Sequence, residues 1–260
     1  MNKRTLPNGI SITEINRYET DYLYKEIFID NVYLPPFMTF GNGTIIDVGA
    51  NIGLFSIFMA LKFPQARILS FEPSPECARI YRLNTMPLVN TPILVECAAG
   101  NTKRTCVLYY YPGYTIMSSI VSNSVLDRTT LEMSARNQAQ KMGAEFSESE
   151  MSLMIDALLS RRDPYRCEMR TISEEIEKNH ISEIDLIKID VEKAELLALD
   201  GITSADLLKT RNVIVEVHDL GGGEQFIARD RLRREGFSTK IEVQPGLEGL
   251  AIYSVYGWRT

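Results

Sequence analysis

His218 is one of only two histidines in this 260-residue chain, and it follows Glu216 at the end of an apolar run, Asn212-Val-Ile-Val-Glu-Val217. An imidazole with an ordinary pKa near ~6.5 can take up and release a proton at neutral pH. It is therefore the first candidate for a general base, with Glu216 or Glu192 beside it to fix its tautomer. Lys193, in Asp190-Val-Glu-Lys193, is the second candidate. A lysine serves only where burial or a metal brings its pKa well below ~10.4. Plainer readings stand beside both. His218 can be a satisfied structural histidine, and Lys193 a helix-start residue paired with Glu192 or Glu195. The other histidine, in the polar stretch Glu177-Lys178-Asn179-His180, reads as solvated surface.

Asp190, Glu192 and Glu216 could together hold one divalent cation, because oxygen ligands of this kind suit Mg²⁺. They serve equally well to orient the histidine or anchor a helix N-terminus. The favoured reading has no obligatory metal; if one binds, Asp190 and Glu216 are its ligands.

A second cluster lies earlier. The apolar run Thr44-Ile-Ile-Asp-Val48 enters the small-residue turn Gly49-Ala50-Asn51-Ile52-Gly53, which opens into an apolar helix. Glu72 follows at the end of the next apolar run, Arg67-Ile-Leu-Ser-Phe71. A turn of small residues lets a ligand approach the backbone, and an acid at the next strand tip can hold a ribose diol. The pair reads as an adenosine pocket, the alternative being a plain strand-to-helix turn. Asp47, two residues before the first glycine, is awkward for a pyrophosphate but suits a cation. The charge pattern thus favours S-adenosylmethionine over a dinucleotide. Candidate contacts are Asp47, Gly49, Ala50, Asn51 and Gly53 on the turn, with Glu72 and Pro73 beyond it. Ala98 and Ala99 in the turn Cys97-Ala-Ala-Gly100 join them, as do Asp190 and Tyr22.

These residues must be positioned by strands that alternate with helices. The pattern predicts strands at 44–48, 67–71, 93–97, 185–190 and 212–217, and helices at about 52–62, 75–85, 172–179, 194–200 and 224–235. Such alternation implies a largely parallel sheet whose ligands sit beyond the carboxyl ends of its strands. The final runs, 237–243 and 250–256, are joined only by a loop and should pair antiparallel. The expected fold is α/β, Rossmann-like, with about seven strands. A further strand at 105–111 stands outside the rhythm. Residues 1–43 read as a helical lead-in, amphipathic over 10–34, with Tyr18 and Tyr22 placed to cover the cofactor. Residues 44–260 form the main domain, interrupted at about 122–165 by a polar helical insertion with no β run. Within it, Ser147 and Glu150 fit a capping box, and Met151, Met154, Ile155, Leu158 and Leu159 share one face. An insertion of this length reads as a lid or binding element, or as a helical pair that extends the core.

Four segments, Ile-Asp-Val-Gly-Ala-Asn-Ile-Gly (46–53), Phe-Glu-Pro-Ser-Pro (71–75), Lys-Ile-Asp-Val-Glu-Lys-Ala-Glu (188–195) and Glu-Val-His-Asp (216–219), resemble in order and spacing the FkbM family of class I methyltransferases. The likeness covers about residues 6–257. Most of that family has glycine where this chain has Lys193. The lysine, with Leu6-Pro-Asn-Gly9 and Leu247-Glu-Gly-Leu250, resembles the O-methyltransferase domains of polyketide and nonribosomal peptide synthases. The resemblance implies cofactor contacts at Asp47, Gly49, Asn51, Gly53 and Glu72, and a hydroxyl substrate on a chain tethered to an acyl or peptidyl carrier protein. Asp190-x-x-Lys193 is also similar to the catechol methyltransferase arrangement, but its second metal-binding acid is not evident, since Val217 and His218 follow Glu216.

Methyl transfer to an alcohol fits the residues on chemical grounds. Aligning the reacting atoms can alone supply ~7–11 kcal/mol, and a neutral hydroxyl needs its proton removed. A free small molecule or sugar is the rival acceptor, and a non-catalytic nucleotide-binding module the rival of another class. Tyr109-Tyr110-Tyr111 can line a pocket or alternate between core and surface. Arg161, Arg162 and Arg166 can meet an acidic carrier or form a solvated face. A formal charge of −6 argues against a nucleic-acid partner. No window approaches the ~20 apolar residues of a membrane span. Four scattered cysteines without a Cys-x-x-Cys pair argue against zinc. With no apolar leader at Met1, they fit a reducing cytoplasm.

Overall fold

The most continuous apolar runs become the centre of a sheet. Strands β3 (Thr44–Val48) and β9 (Ile184–Ile189) are buried at every residue, as expected for parallel strands covered on both faces. In this computed structural model, which describes residues 2–123, 127–133, 136, 147–243 and 249–259, they adjoin in a seven-stranded sheet. Its order is β11-β12-β10-β9-β3-β4-β5, with β4 (Arg67–Phe71), β5 (Ile93–Val95), β10 (Thr210–His218), β11 (Ser238–Glu242) and β12 (Ile252–Trp258). β12 runs antiparallel to both neighbours, and the other pairings are parallel. This is the expected class I methyltransferase architecture.

Alternation along β3 sends Ile46 and Val48 to one layer and Ile45 to the other. The first layer packs under α6 (Ile172–Lys178), α7 (Glu195–Leu199), α8 (Ser204–Leu208) and α9 (Glu224–Arg234). The second packs under α2 (Leu54–Lys62), α3 (Pro75–Thr85) and the N-terminal segment. Helix α8 was not anticipated.

The lead-in is not helical throughout. Ser11–Glu14 forms β2, paired antiparallel with β1 (Asn2–Thr5). The Asn84 side chain fixes this hairpin: it accepts from the Thr13 N–H at 2.7 Å and donates to the Thr13 carbonyl at 3.0 Å. Helix α1 (Arg17–Tyr24) then starts on the Asn16 cap and continues into a π-helical turn, Lys25–Ile29.

The strand expected at 105–111 is β7 (Arg104–Tyr110), and it belongs to a second sheet of order β6-β8-β7 with β6 (Ala98–Ala99) and β8 (Asp163–Arg170). Strand β8 corrects the expected insertion, because a β run starts before residue 165. Its charged residues hide it in the sequence, while Cys167 and Met169 alternate inward to the small core under β7. The insertion is otherwise helical where described: residues 127–133 (α4) and α5 (Glu148–Leu159), which starts on the Ser147–Glu150 capping box. Residues 134–135 and 137–146 lie outside the described residues.

Candidate active site

A cavity of about 810 Å³ opens beyond the carboxyl ends of β3, β4, β9 and β10, in the size range of small-molecule sites. The glycine turn forms one wall. Gly49 has φ +84°, and a Cβ there would lie 1.8 Å from the Asp190 carbonyl oxygen, so only glycine fits. Beyond it the Asn51 N–H donates to Glu72 Oε2 and the Ser74 N–H to Oε1, both at 2.8 Å. These bonds hold the acid at the wall. Burial raises the Glu72 carboxyl to about 7, although the two N–H groups and Lys188 work against the rise. Ala50, Pro73, Ala98, Ala99, Asp190 and Tyr22 also line the cavity.

Two expected cofactor contacts lie behind this wall. Asp47 is 0 % exposed and absent from the lining. Its Oδ2 accepts from the Ser56 hydroxyl at 2.7 Å, and its Oδ1 lies 3.3 Å from Lys188 Nζ. Its charge is thus balanced inside the sheet and cannot face a ligand. Gly53 caps α2 and packs against Tyr81. The case for a cationic ligand rests instead on the seven acids that line the cavity, Glu19, Glu26, Glu72, Glu150, Asp190, Glu192 and Glu216, against Arg161, Lys188 and His218 among the described residues.

Lys188 remains charged. Burial opposes its ammonium, but Asp190 at 3.2 Å and Asp47 outweigh that and push its pKa up; the Gly49 carbonyl accepts at 2.9 Å. A lysine within an otherwise apolar strand signals such a buried pairing. Glu19 and Glu26 come from the lead-in, where Glu19, Tyr22, Leu23, Glu26 and Ile27 follow helical spacing onto the cavity. Burial lifts the Glu19 carboxyl to about 7, against bonds from the Ile116 N–H and the Thr115 hydroxyl. Tyr18 is exposed at the rim.

His218 closes the opposite wall. Its Nδ1 lies 2.8 Å from Glu195 Oε1, and its Nε2 lies 3.1 Å from Glu192 Oε2. Burial alone would lower the imidazole pKa, but the Glu192 and Glu195 carboxylates outweigh it and raise it well above the ordinary range. Glu195, not singled out from the sequence, is thus the orienting acid. Glu216 shares this wall, its carboxyl raised by burial and by Asp190 and Glu26.

Lys193 does not line the cavity. Its ammonium donates to Asp127 Oδ1 at 2.6 Å, both side chains being at most 4 % exposed. Its partner is therefore an acid of the insertion, not Glu192 or Glu195. Glu192 and Lys193 both adopt left-handed backbone, φ 48° and 69°, a conformation costing ~1–2 kcal/mol per residue.

Among the described residues, the three side chains spaced for a cation are Glu192, Glu216 and His218, whose ligand atoms lie within 4.8 Å of one another. Asp190, the other ligand expected beside Glu216, is not in this set; its carboxylate lies 3.2 Å from the Lys188 ammonium. The bonds from Glu192 and Glu195 account for the acids around His218 without an ion.

The outer cavity is apolar, lined by Met117, Leu131, Met151, Met154, Ile155 and Leu158. Arg161 sits at its edge, and Arg162 stacks on Tyr109 at 4.9 Å. Arg166 is exposed on β8. The three tyrosines stay off the cavity: Tyr110 donates to Glu76 at 2.6 Å and Tyr111 to Asp127 at 3.0 Å. Among the described residues, no helix is long and apolar enough to cross a membrane.

Residues 47–239 match the family described as Methyltransferase FkbM domain. The chain is 34% identical to the AMB antimetabolite synthetase AmbE of Pseudomonas aeruginosa, over 98% of this chain but only 12% of that protein. It is 30% identical to the 31-O-demethyl-FK506 methyltransferase FkbM of Streptomyces tacrolimicus, over 98% of this chain and 96% of that protein. Among solved structures, the methyltransferase FkbM of Methylobacillus flagellatus superposes with a TM-score of 0.54 at 12% identity, covering 90% of this chain and 48% of that one.

Proposed function

The chain belongs to the FkbM family of methyltransferases, and from that premise we propose that it methylates a hydroxyl or enol oxygen of a polyketide- or peptide-like intermediate presented on an acyl or peptidyl carrier protein. One observation carries the choice of oxygen: His218 faces the cavity with Glu195 on one ring nitrogen and Glu192 on the other. In its neutral form, with Nδ1–H on Glu195, this ring can accept a proton at Nε2, which an alcohol requires and a more nucleophilic acceptor does not.

The residues present fit S-adenosylmethionine. Gly49 and Ala50 line the cavity with little or no side chain, Glu72 offers acceptor oxygens to a ribose, and the cavity acids favour a positive charge. When bound, that cofactor supplies a methyl group on a positively charged sulfur. The protein's own part is alignment and proton removal. Glu195 would hold Nδ1–H, so that Nε2 of the neutral imidazole, beside Glu192, would take the proton of the acceptor hydroxyl. The apolar chamber under α4 and α5 excludes water and takes the chain that carries the hydroxyl. Arg161 at its rim suits a carrier's phosphopantetheine phosphate.

A free small-molecule acceptor is the second reading, supported by the Streptomyces relative, which this chain matches over 96% of its length. The test supplies S-adenosylmethionine with a 3-hydroxyacyl group on a carrier protein, and in parallel as its free acid. Methyl ether formation faster on the carrier favours the first reading, and equal rates favour the second. A methylated nitrogen or carbon, or cofactor binding with no product, sinks both.

A further inference from the structure

The turn after β9 holds a conformation that two side-chain-bearing residues rarely share. Such a turn persists only where its surroundings over-determine it. On one side, the Lys193 N–H donates to Glu195 Oε1 at 2.8 Å and the Ser119 hydroxyl donates to the Glu192 carbonyl. On the other, the Lys193 ammonium reaches Asp127 Oδ1, while Asp127 Oδ2 accepts from the Tyr111 hydroxyl. Asp127 lies on α4, which also carries Leu131 into the apolar chamber beside Met117 and Ile155. Across the turn, Glu192 and Glu195 grip the two nitrogens of His218, with Glu216 of β10 on the same wall.

We propose that Asp127 and Lys193 are positioning residues, a buried ion pair through which the acceptor-chamber helix α4 holds the 192–193 turn and so places Glu192 against His218. The role for catalysis rests on the reading of His218 as the base, but the placement itself can be measured with no acceptor present. Removing Asp127 leaves an ammonium buried without its partner, which drives the turn to rearrange and expose it. Glycine at 193 removes that ammonium and adopts positive φ without steric penalty, so it frees the turn from its dependence on Asp127.

The experiment uses the full chain labelled with ¹⁵N-histidine and saturated with S-adenosylhomocysteine. Its two imidazoles give separate ring-nitrogen signals, with exposed His180 as internal reference. Asp127→Ala and Asp127→Asn should each shift the His218 Nε2 resonance toward that of a ring without a carboxylate partner. His180 should stay in place, and affinity for S-adenosylhomocysteine should stay within about threefold. The double variant Asp127→Ala/Lys193→Gly should recover most of the shift. The asparagine variant keeps the shape and the Tyr111 contact, so it carries the test if the alanine variant does not fold. An unmoved His218 signal overturns the proposal. So does a shift that accompanies lost cofactor affinity, or one that the added glycine fails to reverse. Absence of turnover on every acceptor would instead count against the proposed function and leave these spectra as they are.

Discussion

The two halves of the cavity are built on different plans. The cofactor half is made by Gly49–Ile52 and Glu72–Ser74, close in sequence and set by backbone N–H bonds and by a glycine that admits no side chain. The half proposed to take the acceptor is assembled from described residues spread over 115–158 and again at the ends of β9 and β10, with many apolar side chains among them. Met117, Met151 and Met154 line it, and methionine adapts to more than one partner surface. A wall made of backbone fixes one ligand. A wall made of side chains can change its acceptor without disturbing the strands below.

This contrast can be broken from either side. His218→Ala should lower kcat by ~10²–10⁴ while S-adenosylhomocysteine binding by calorimetry stays nearly constant; retained turnover would remove His218 as the base. Glu72→Ala should do the reverse. The loss of a charge-assisted acceptor should weaken cofactor binding by ~1.5–3 kcal/mol, roughly 10–150-fold in Kd, with kcat at saturation little changed. If both halves lose function together in either variant, they are not separable.

The pH dependence sharpens the division further. Glu192 and Glu195 raise the His218 pKa, so the base is protonated at neutral pH and kcat/KM should climb up to ~tenfold per pH unit toward a plateau above the usual imidazole range. A profile already flat at neutral pH would contradict that. Met154→Ala, on the apolar wall, should raise acceptor KM by roughly three- to tenfold and leave S-adenosylhomocysteine affinity alone. The smallest effect concerns stability. His218 binds a proton more tightly folded than unfolded, so its contribution is full below ~6.5 and fades as pH rises through the folded pKa. Glu19 and Glu72, raised to about 7, resist ionisation in the fold, so they also favour the folded state less as pH rises from ~4.5. Both effects have the same sign, and the ligand-free melting temperature should fall between about pH 5 and 8; a rise over that interval would refute these assignments.

The turn that forms one wall of the cavity was legible because its signals are local. A β-branched run, a glycine turn and an acid at the next strand tip each follow from short-range geometry. Asp47 misled for the same reason. Its place in the turn motif suggested a ligand contact, but Lys188 comes from a strand 141 residues away and cancels its charge. Strand β8 was hidden because one of its faces is exposed and charged, so composition spoke for surface. Asp127 carried no signal, and Glu195 none that tied it to His218, since their roles come only from the partners they meet.

By itself the sequence determined the alternation of strands and helices in the main sheet, the glycine turn with Glu72, and the presence of an acid-rich region with a histidine at the end of β10. Those features depend on periodicity and on backbone conformations that few residues accept. Only the tertiary structure decided which charges neutralise one another, which face the cavity, and how α4 reaches the turn beside His218. Charge pairing at 3 Å is a property of distance in space, and residues 66 to 141 apart along the chain acquire it only when the sheet and the insertion have closed around them.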